Sequence, residues 1–270
     1  MNKYAFLCGI NSYQNGNNLR GCVNDVMDIR ERLIKKYNFS PDNIRLLISE
    51  RATKKAICEH VEWLISCCDP VAEDLLVFDY SGHGTKFRIR RGNNLDNYET
   101  ACLCSTDHDW SDPLEAGILH RYFDQIPPNT SLSFIADCCN SGDLVKRFGF
   151  DGSTATQAKR MIPPDDILAR SLDRTLTTKQ IEDYVSIIDT VNVLFLSGCQ
   201  PEETSADAYI DGRYNGALTA GLKWVIDSDP ESLWENTHVR MSNYLFDNKF
   251  AQHPSIKGST HTITSKMFQG

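Results

Sequence analysis

Two apolar runs in this chain each break at glycine just after a side chain capable of chemistry. Leu75-Leu76-Val77-Phe78 leads into Tyr80-Ser81-Gly82-His83-Gly84-Thr85, and Leu132-Ser133-Phe134-Ile135 leads into Ala136-Asp137-Cys138-Cys139-Asn140-Ser141-Gly142. Short apolar runs bounded by turn formers read as buried strands. Two such strands side by side in a parallel sheet end at the same edge, where open α/β sheets hold their ligands. A thiol and an imidazole brought together there make a nucleophile and its base.

The rest of the pattern supplies the sheet. Strand-like stretches at 4–10, 44–48, 74–80, 132–136 and 191–197 alternate with helical ones at 25–37, 53–68, 118–126, 216–227 and 233–248. In the first helix Val26, Ile29, Leu33 and Ile34 fall on one face, and in the second Ala56, Ile57, Val61, Leu64 and Ile65 do. The alternation predicts a mostly parallel sheet with helices on both faces. It lapses between about 151 and 178, a polar stretch with Gly152, Pro163-Pro164 and several Lys and Arg, expected to be flexible. The tail from 253 to 270 has the residues of an edge strand. A larger N-terminal part and a smaller C-terminal part are expected to share one sheet.

Composition excludes several classes. The net charge of −8 comes without a basic block, so phosphate contacts and nucleic-acid binding are not expected. Nothing approaches the roughly 20 consecutive apolar residues of a membrane span. Residues 1–10 carry one early lysine and a short apolar stretch, which reads as a first core strand and not a secretion leader. A cytoplasmic placement follows, and the ten cysteines are expected as reduced thiols, most of them core filler such as Cys8, Cys58 and Cys199. Cys102-Leu103-Cys104 with His108 lacks a second ligand pair and makes a poor zinc site.

Because alternate strand residues share a face, Ser81 and His83 can project together, as can Asp137 and Cys139, with Cys138 turned into packing. Parity favours Cys139 over Cys138 but loses force where a strand becomes a loop.

At these residues the chain resembles the metacaspases and orthocaspases of the caspase-like cysteine peptidases. Ser-Gly-His-Gly at 81–84 matches their histidine motif, and Asp137-Cys138-Cys139-Asn140-Ser141-Gly142 matches their Asp-x-Cys-x-Ser-Gly. Leu19-Arg20-Gly21-Cys22-Val23-Asn24-Asp25 is similar to the entry into their first helix. Leu196-Ser197-Gly198-Cys199-Gln200, Thr204-Ser205-Ala206-Asp207 and Gly216-Ala217-Leu218-Thr219 are similar to their C-terminal subunit. The motifs stand in the family's order, and His83 precedes Cys139 by close to the caspase spacing of roughly 50 residues. The animal caspase signature is absent, since Asp137-Cys138 stands where it has Gln-Ala.

The resemblance implies a caspase-like three-layer α/β/α sandwich around a mostly parallel sheet. It implies a p20-like catalytic part at 1–150, a flexible linker at 151–190 and a p10-like part at 191–270. Cys139 would be the nucleophile, with His83 lowering its effective pKa and later protonating the leaving amine. Gly84 and the amide of Cys139 would hold the oxyanion, a place where glycine allows close approach. Asp25 and Asp137 would form an acidic S1 pocket, with Cys22 and Ser81 lining it, for cleavage after Arg or Lys. No third residue that would complete a triad is evident.

Lys159, Arg160, Arg170 and Arg174 are candidate processing sites in the exposed linker, for self-cleavage or an upstream activating protease. A monomer acting on protein or peptide substrates is expected, in a stress, cell-death or defence pathway. Many metacaspases need calcium. Here His120 and Arg121 stand where acidic residues often do, and Lys146-Arg147 follow the nucleophile, so no cofactor is expected, although Asp96, Glu99, Asp107, Asp109 and Asp112 could supply oxygen ligands. The rival functions are a catalytically silent caspase-like scaffold and a nucleotide binder. A scaffold needs neither the dyad nor the two carboxylates, and Asn11–Gly16 lacks the spacing of a phosphate-binding loop.

Overall fold

A computed structural model describes residues 1–91, 94–139, 157–159, 161, 192–200 and 203–269, with residues 87–91 and 94–100 described through their backbone. In chain order the elements are β1 (Lys3–Gly9), α1 (Cys22–Tyr37), β2 (Ile44–Ile48), α2 (Lys54–Ser66), β3 (Leu75–Ser81), β4 (Gly84–Arg91), β5 (Asn94–Leu103), β6 (Leu114–Glu115), α3 (Ala116–Phe123) and β7 (Ser131–Asp137). They continue as β8 (Gln157–Ala158), β9 (Val193–Ser197), β10 (Ala206–Ile210), β11 (Arg213–Gly216), α4 (Ala217–Ser228), α5 (Trp234–Asp247), β12 (Ser255–Lys257) and α6 (Thr260–Ile263).

The central sheet has the order β12-β9-β7-β3-β1-β2, and all its pairs are parallel except the one made by β12 at the edge. Strands from both sequence parts therefore share it. Alternation sorts the side chains to two cores. Phe6, Cys8, Tyr80, Ala136 and Cys138 face α2 and α3 through Ile57, Val61, Leu64 and Leu119. Ala5, Leu7, Val77 and Ile135 face α1, α4 and α5 through Val26, Ile29, Leu33, Leu218, Leu222 and Met241. This is the expected α/β/α sandwich. The parallel register lines up Phe6, Phe78 and Phe134, which stack at 5.0 and 4.8 Å. Cys138 lies in the first core, as parity predicted, and the ten cysteines, all of them described, form no disulfide with one another.

Most differences from the sequence reading are at ends. Helix α1 starts at Cys22, three residues early, and ends on Asn38 in the left-handed conformation at φ 57°. Thr53 caps α2 by accepting the Ala56 N–H. Two hairpins were not foreseen. One is β4–β5, and the other is β10–β11, turning at Asp211 and Gly212, whose φ values of 51° and 87° suit an Asp-Gly turn. Among the described residues no helix is long and apolar enough to cross a membrane.

The largest correction concerns the polar linker. Residues 157–158 pair antiparallel with Asp207 and Ala206 of β10, and Lys159, expected on an exposed loop, is fully buried. Arg160, Arg170 and Arg174, and most of the span 151–190, lie outside the described residues.

Candidate active site

The parallel pairing of β3 with β7 sets Ser81 opposite Asp137, and the pairing with β1 sets Ser81 opposite Gly9. Beyond these strand ends the chain leaves the sheet, and the chemistry-bearing residues collect there. Helix α1 brings Cys22 and Asp25 to the same place, and the β11–α4 corner brings Gly216 and Thr219.

Asp25 and Asp137 are fully buried and face one cation, the side chain of Lys159. Its Nζ lies 3.0 Å from Asp25 Oδ2, 3.2 Å from Asp137 Oδ1 and donates to Ser81 Oγ at 2.7 Å. Ser81 in turn donates to Asp25 at 2.7 Å. Each carboxylate has further donors: the Gly216 N–H lies 2.8 and 3.0 Å from the two oxygens of Asp25, and Asp137 receives Ser205 Oγ, Thr219 N–H and Thr219 Oγ1 at 2.7, 3.0 and 2.8 Å. Burial opposes the Lys159 charge, but Asp137 and Asp25 outweigh it and hold the ammonium well above its ordinary pKa. Burial and the neighbouring Asp137 raise Asp25, with Lys159 opposing. Deleting one partner of a buried ion pair costs roughly 3–5 kcal/mol, so this pocket calls for a cation.

Gly216 forms the wall. A Cβ there would collide with Asp137 Oδ2, Lys159 Nζ and Asp25 Oδ2. Cys22 is buried beside the cluster and kept protonated chiefly by burial. The four residues assigned to the pocket from sequence are thus brought together.

The main chain of the same lysine is also held. Its carbonyl oxygen accepts the N–H of Gly84 at 3.1 Å and of Cys139 at 3.2 Å, and its N–H donates to the Ser205 carbonyl at 2.9 Å. Gly84 fits because a Cβ there would strike the carbonyl of Cys139.

The Cys139 thiol accepts the Ser205 N–H at 2.9 Å and lies 3.6 Å from the Ser205 carbonyl. Burial pushes its pKa well above the usual thiol value. His83 Nε2 lies 2.7 Å from the carbonyl of Asn17, while Nδ1 is buried without a hydrogen-bond partner among the described residues. Burial lowers the imidazole to about 4, against the Asn17 carbonyl, which favours its proton. The expected lowering of the thiol pKa is therefore not present, because Cys139 is fully buried. Tyr13 fixes the histidine: its hydroxyl accepts the His83 N–H at 2.7 Å, and the two rings lie 4.7 Å apart.

Asn17 and Tyr13 were given no role from sequence, and Ser205, Gly216 and Thr219 were marked there only as parts of segments similar to the family's C-terminal subunit. Asn17 acts through its carbonyl, which any residue carries, so no side-chain signal exists for it. Behind the pocket, Asp79 is fully buried with neither carboxyl oxygen partnered among the described residues. Burial, then Asp25 and Asp137, raise its pKa far above the carboxylate range.

The acidic residues considered for calcium do not converge. Asp107 accepts the Lys54 N–H, Asp109 is turned onto Ser111, and Asp112 pairs with Lys54 at 2.7 Å. The side chains of Asp96 and Glu99 lie outside the described residues. Among the described residues no group of three or more His, Cys, Asp and Glu is arranged to hold a metal.

A mostly parallel sheet between helical layers, with histidine and cysteine at its C-terminal edge, is the layout of the caspase-like class. A family model described as the metacaspase, peptidase C14 domain, matches residues 3–147, and the chain belongs to this family of cysteine endopeptidases. It is 23% identical to metacaspase-1 of Schizosaccharomyces pombe over 94% of this chain and 67% of that protein. It is 23% identical to metacaspase-9 of Arabidopsis thaliana over 94% and 93%, respectively. Among solved structures, protein GSU0716 of Geobacter sulfurreducens superposes with a TM-score of 0.71 at 17% identity, covering 100% of this chain and 99% of that one. Caspase-1 of Spodoptera frugiperda superposes at 0.61 and 12% identity, covering 99% and 89%.

Proposed function

We propose that this peptidase cleaves on the carboxyl side of Lys and Arg, with Cys139 as nucleophile and His83 as its base, and that its first substrate is its own Lys159–Arg160 bond. One observation carries this: a single residue places its cation between Asp25 and Asp137 and its carbonyl oxygen on the amides of Gly84 and Cys139.

In this reaction the Cys139 proton passes to His83 as sulfur attacks the Lys159 carbonyl carbon. The two amides hold the oxyanion. His83 then protonates the departing nitrogen of Arg160, and water hydrolyses the thioester with His83 again taking a proton. Resting thiol and imidazole are both neutral, which suits a latent form in which the proton moves only as the bond to sulfur forms. Arginine fits the same pocket through paired donors. Arg170 and Arg174 remain further processing sites open to a second copy or an upstream protease. We take the enzyme to be a metal-independent, cytoplasmic monomer in a stress, cell-death or defence pathway, acting on proteins with accessible basic residues.

The test compares the purified chain with Cys139→Ala on fluorogenic peptides ending in Arg, Lys or Asp, with calcium or chelator. Cleavage after Arg and Lys alone, abolished by the substitution and insensitive to chelator, is expected. Cleavage after Asp contradicts the pocket, and activity surviving in Cys139→Ala contradicts the nucleophile.

A further inference from the structure

We infer that the enzyme has a second specificity pocket, an apolar subsite for the second residue after the cleaved bond, which takes methionine or another unbranched apolar side chain. The inference rests on Lys159 being the residue before that bond.

Gly84 grips the segment at two points. Its N–H donates to the Lys159 carbonyl at 3.1 Å, and its carbonyl accepts the Met161 N–H at 3.2 Å. Bonds from one residue to positions two apart are those of an extended chain lying along a strand. On the other side of Lys159, residues 157–158 pair with β10. The segment is therefore held by main-chain bonds both before and after the bond to be cut, and two of its described side chains are sequestered. Gln157 and Ala158 are exposed, whereas Lys159 is 0% and Met161 1% exposed.

Met161 joins the apolar cluster that includes Tyr13, Tyr80, Cys104 and Cys138. Its sulfur receives the Asn15 side-chain amide at 3.2 Å, a weak bond that a thioether accepts and an aliphatic carbon does not. A carboxylate in the same place would lose its hydration among apolar neighbours. Recognition is then divided: charge is read before the cleaved bond and apolar shape two residues after it. Reporter peptides whose dye replaces everything beyond the cleaved bond cannot engage this subsite.

The experiment uses the full chain and internally quenched peptides Gln-Ala-Lys-Arg-Xaa-Ile-Pro, with Xaa Met, norleucine, Ala or Asp, beside a Gln-Ala-Lys-dye reporter. The chain's own segment competes equally with every peptide, so ratios of kcat/KM are read. Methionine and norleucine are expected to be similar, with alanine about tenfold poorer and aspartate poorer still, from the area buried. A flat series with the reporter cleaved overturns the subsite and leaves lysine cleavage intact. Neither reporter nor series cleaved overturns the assignment of Lys159, and the subsite falls with it.

Discussion

The backbone N–H of Cys139 donates to the carbonyl oxygen of Lys159 at 3.2 Å, so the amide expected to stabilise the developing oxyanion already holds a carbonyl of the enzyme's own chain. The side chain of that lysine lies in the acidic pocket, with Asp25 and Asp137 at 3.0 and 3.2 Å. On the proposed function, peptide cleavage and latency are two consequences of this one arrangement.

Gly216→Ala tests the pocket without touching the dyad. Its Cβ would fall on Asp137, on Asp25 and on the bound ammonium. A loss of at least a hundredfold in kcat/KM for lysine peptides is expected, because displacing a cation from two buried carboxylates forfeits about 3 kcal/mol or more. Circular dichroism should show the fold retained, and lysine cleavage at the parental rate contradicts the pocket.

Asp79→Asn tests the carboxyl that is buried without a hydrogen-bond partner among the described residues. A folded-state pKa raised by burial means that the native protein binds a proton where the unfolded chain has released it. Stability from this group is full below the ordinary carboxylate pKa of about 4 and is lost as pH rises toward the folded value. The asparagine variant avoids that loss, so its Tm should exceed the parent's at pH 7 and the gap should narrow towards pH 4. An unchanged gap across that range counts against a protonated Asp79.

Tyr13→Phe keeps the ring against His83 and removes the acceptor of its N–H, bonded at 2.7 Å. An unsatisfied buried donor costs about 1–3 kcal/mol. If Tyr13 positions the base, kcat falls roughly tenfold while KM for an arginine peptide stays within about twofold. A fall in thermal stability with kcat unchanged assigns Tyr13 to structure alone.

Much of this was legible in the sequence because strand parity is a local rule. Ser81 and Asp137 could be placed at one edge from their distance to the end of an apolar run, and Cys138 could be turned into the core by the same count. The β4–β5 hairpin escaped because its charged residues, Lys86, Arg88, Arg90 and Arg91 among them, hide the apolar signal of a strand. The Asp211-Gly212 turn was readable and was passed over. Lys159 was picked out for its charge and misplaced in exposure, since polarity along residues 151–178 reads as solvent contact unless two carboxylates elsewhere are known to need a cation. Asn17 and Gly216 act through a backbone carbonyl and the lack of a Cβ, which leave no side-chain chemistry to read.

The most direct measurement is intact-mass analysis with N-terminal sequencing of the full chain during incubation, beside Cys139→Ala and Lys159→Arg. The first cut is expected to separate Lys159 from Arg160, giving a fragment that begins Arg-Met-Ile-Pro, with Lys159→Arg keeping this cut and Cys139→Ala abolishing it. A first cut after Arg170 or Arg174 with the Lys159 bond intact, or the same fragment from Cys139→Ala, contradicts it.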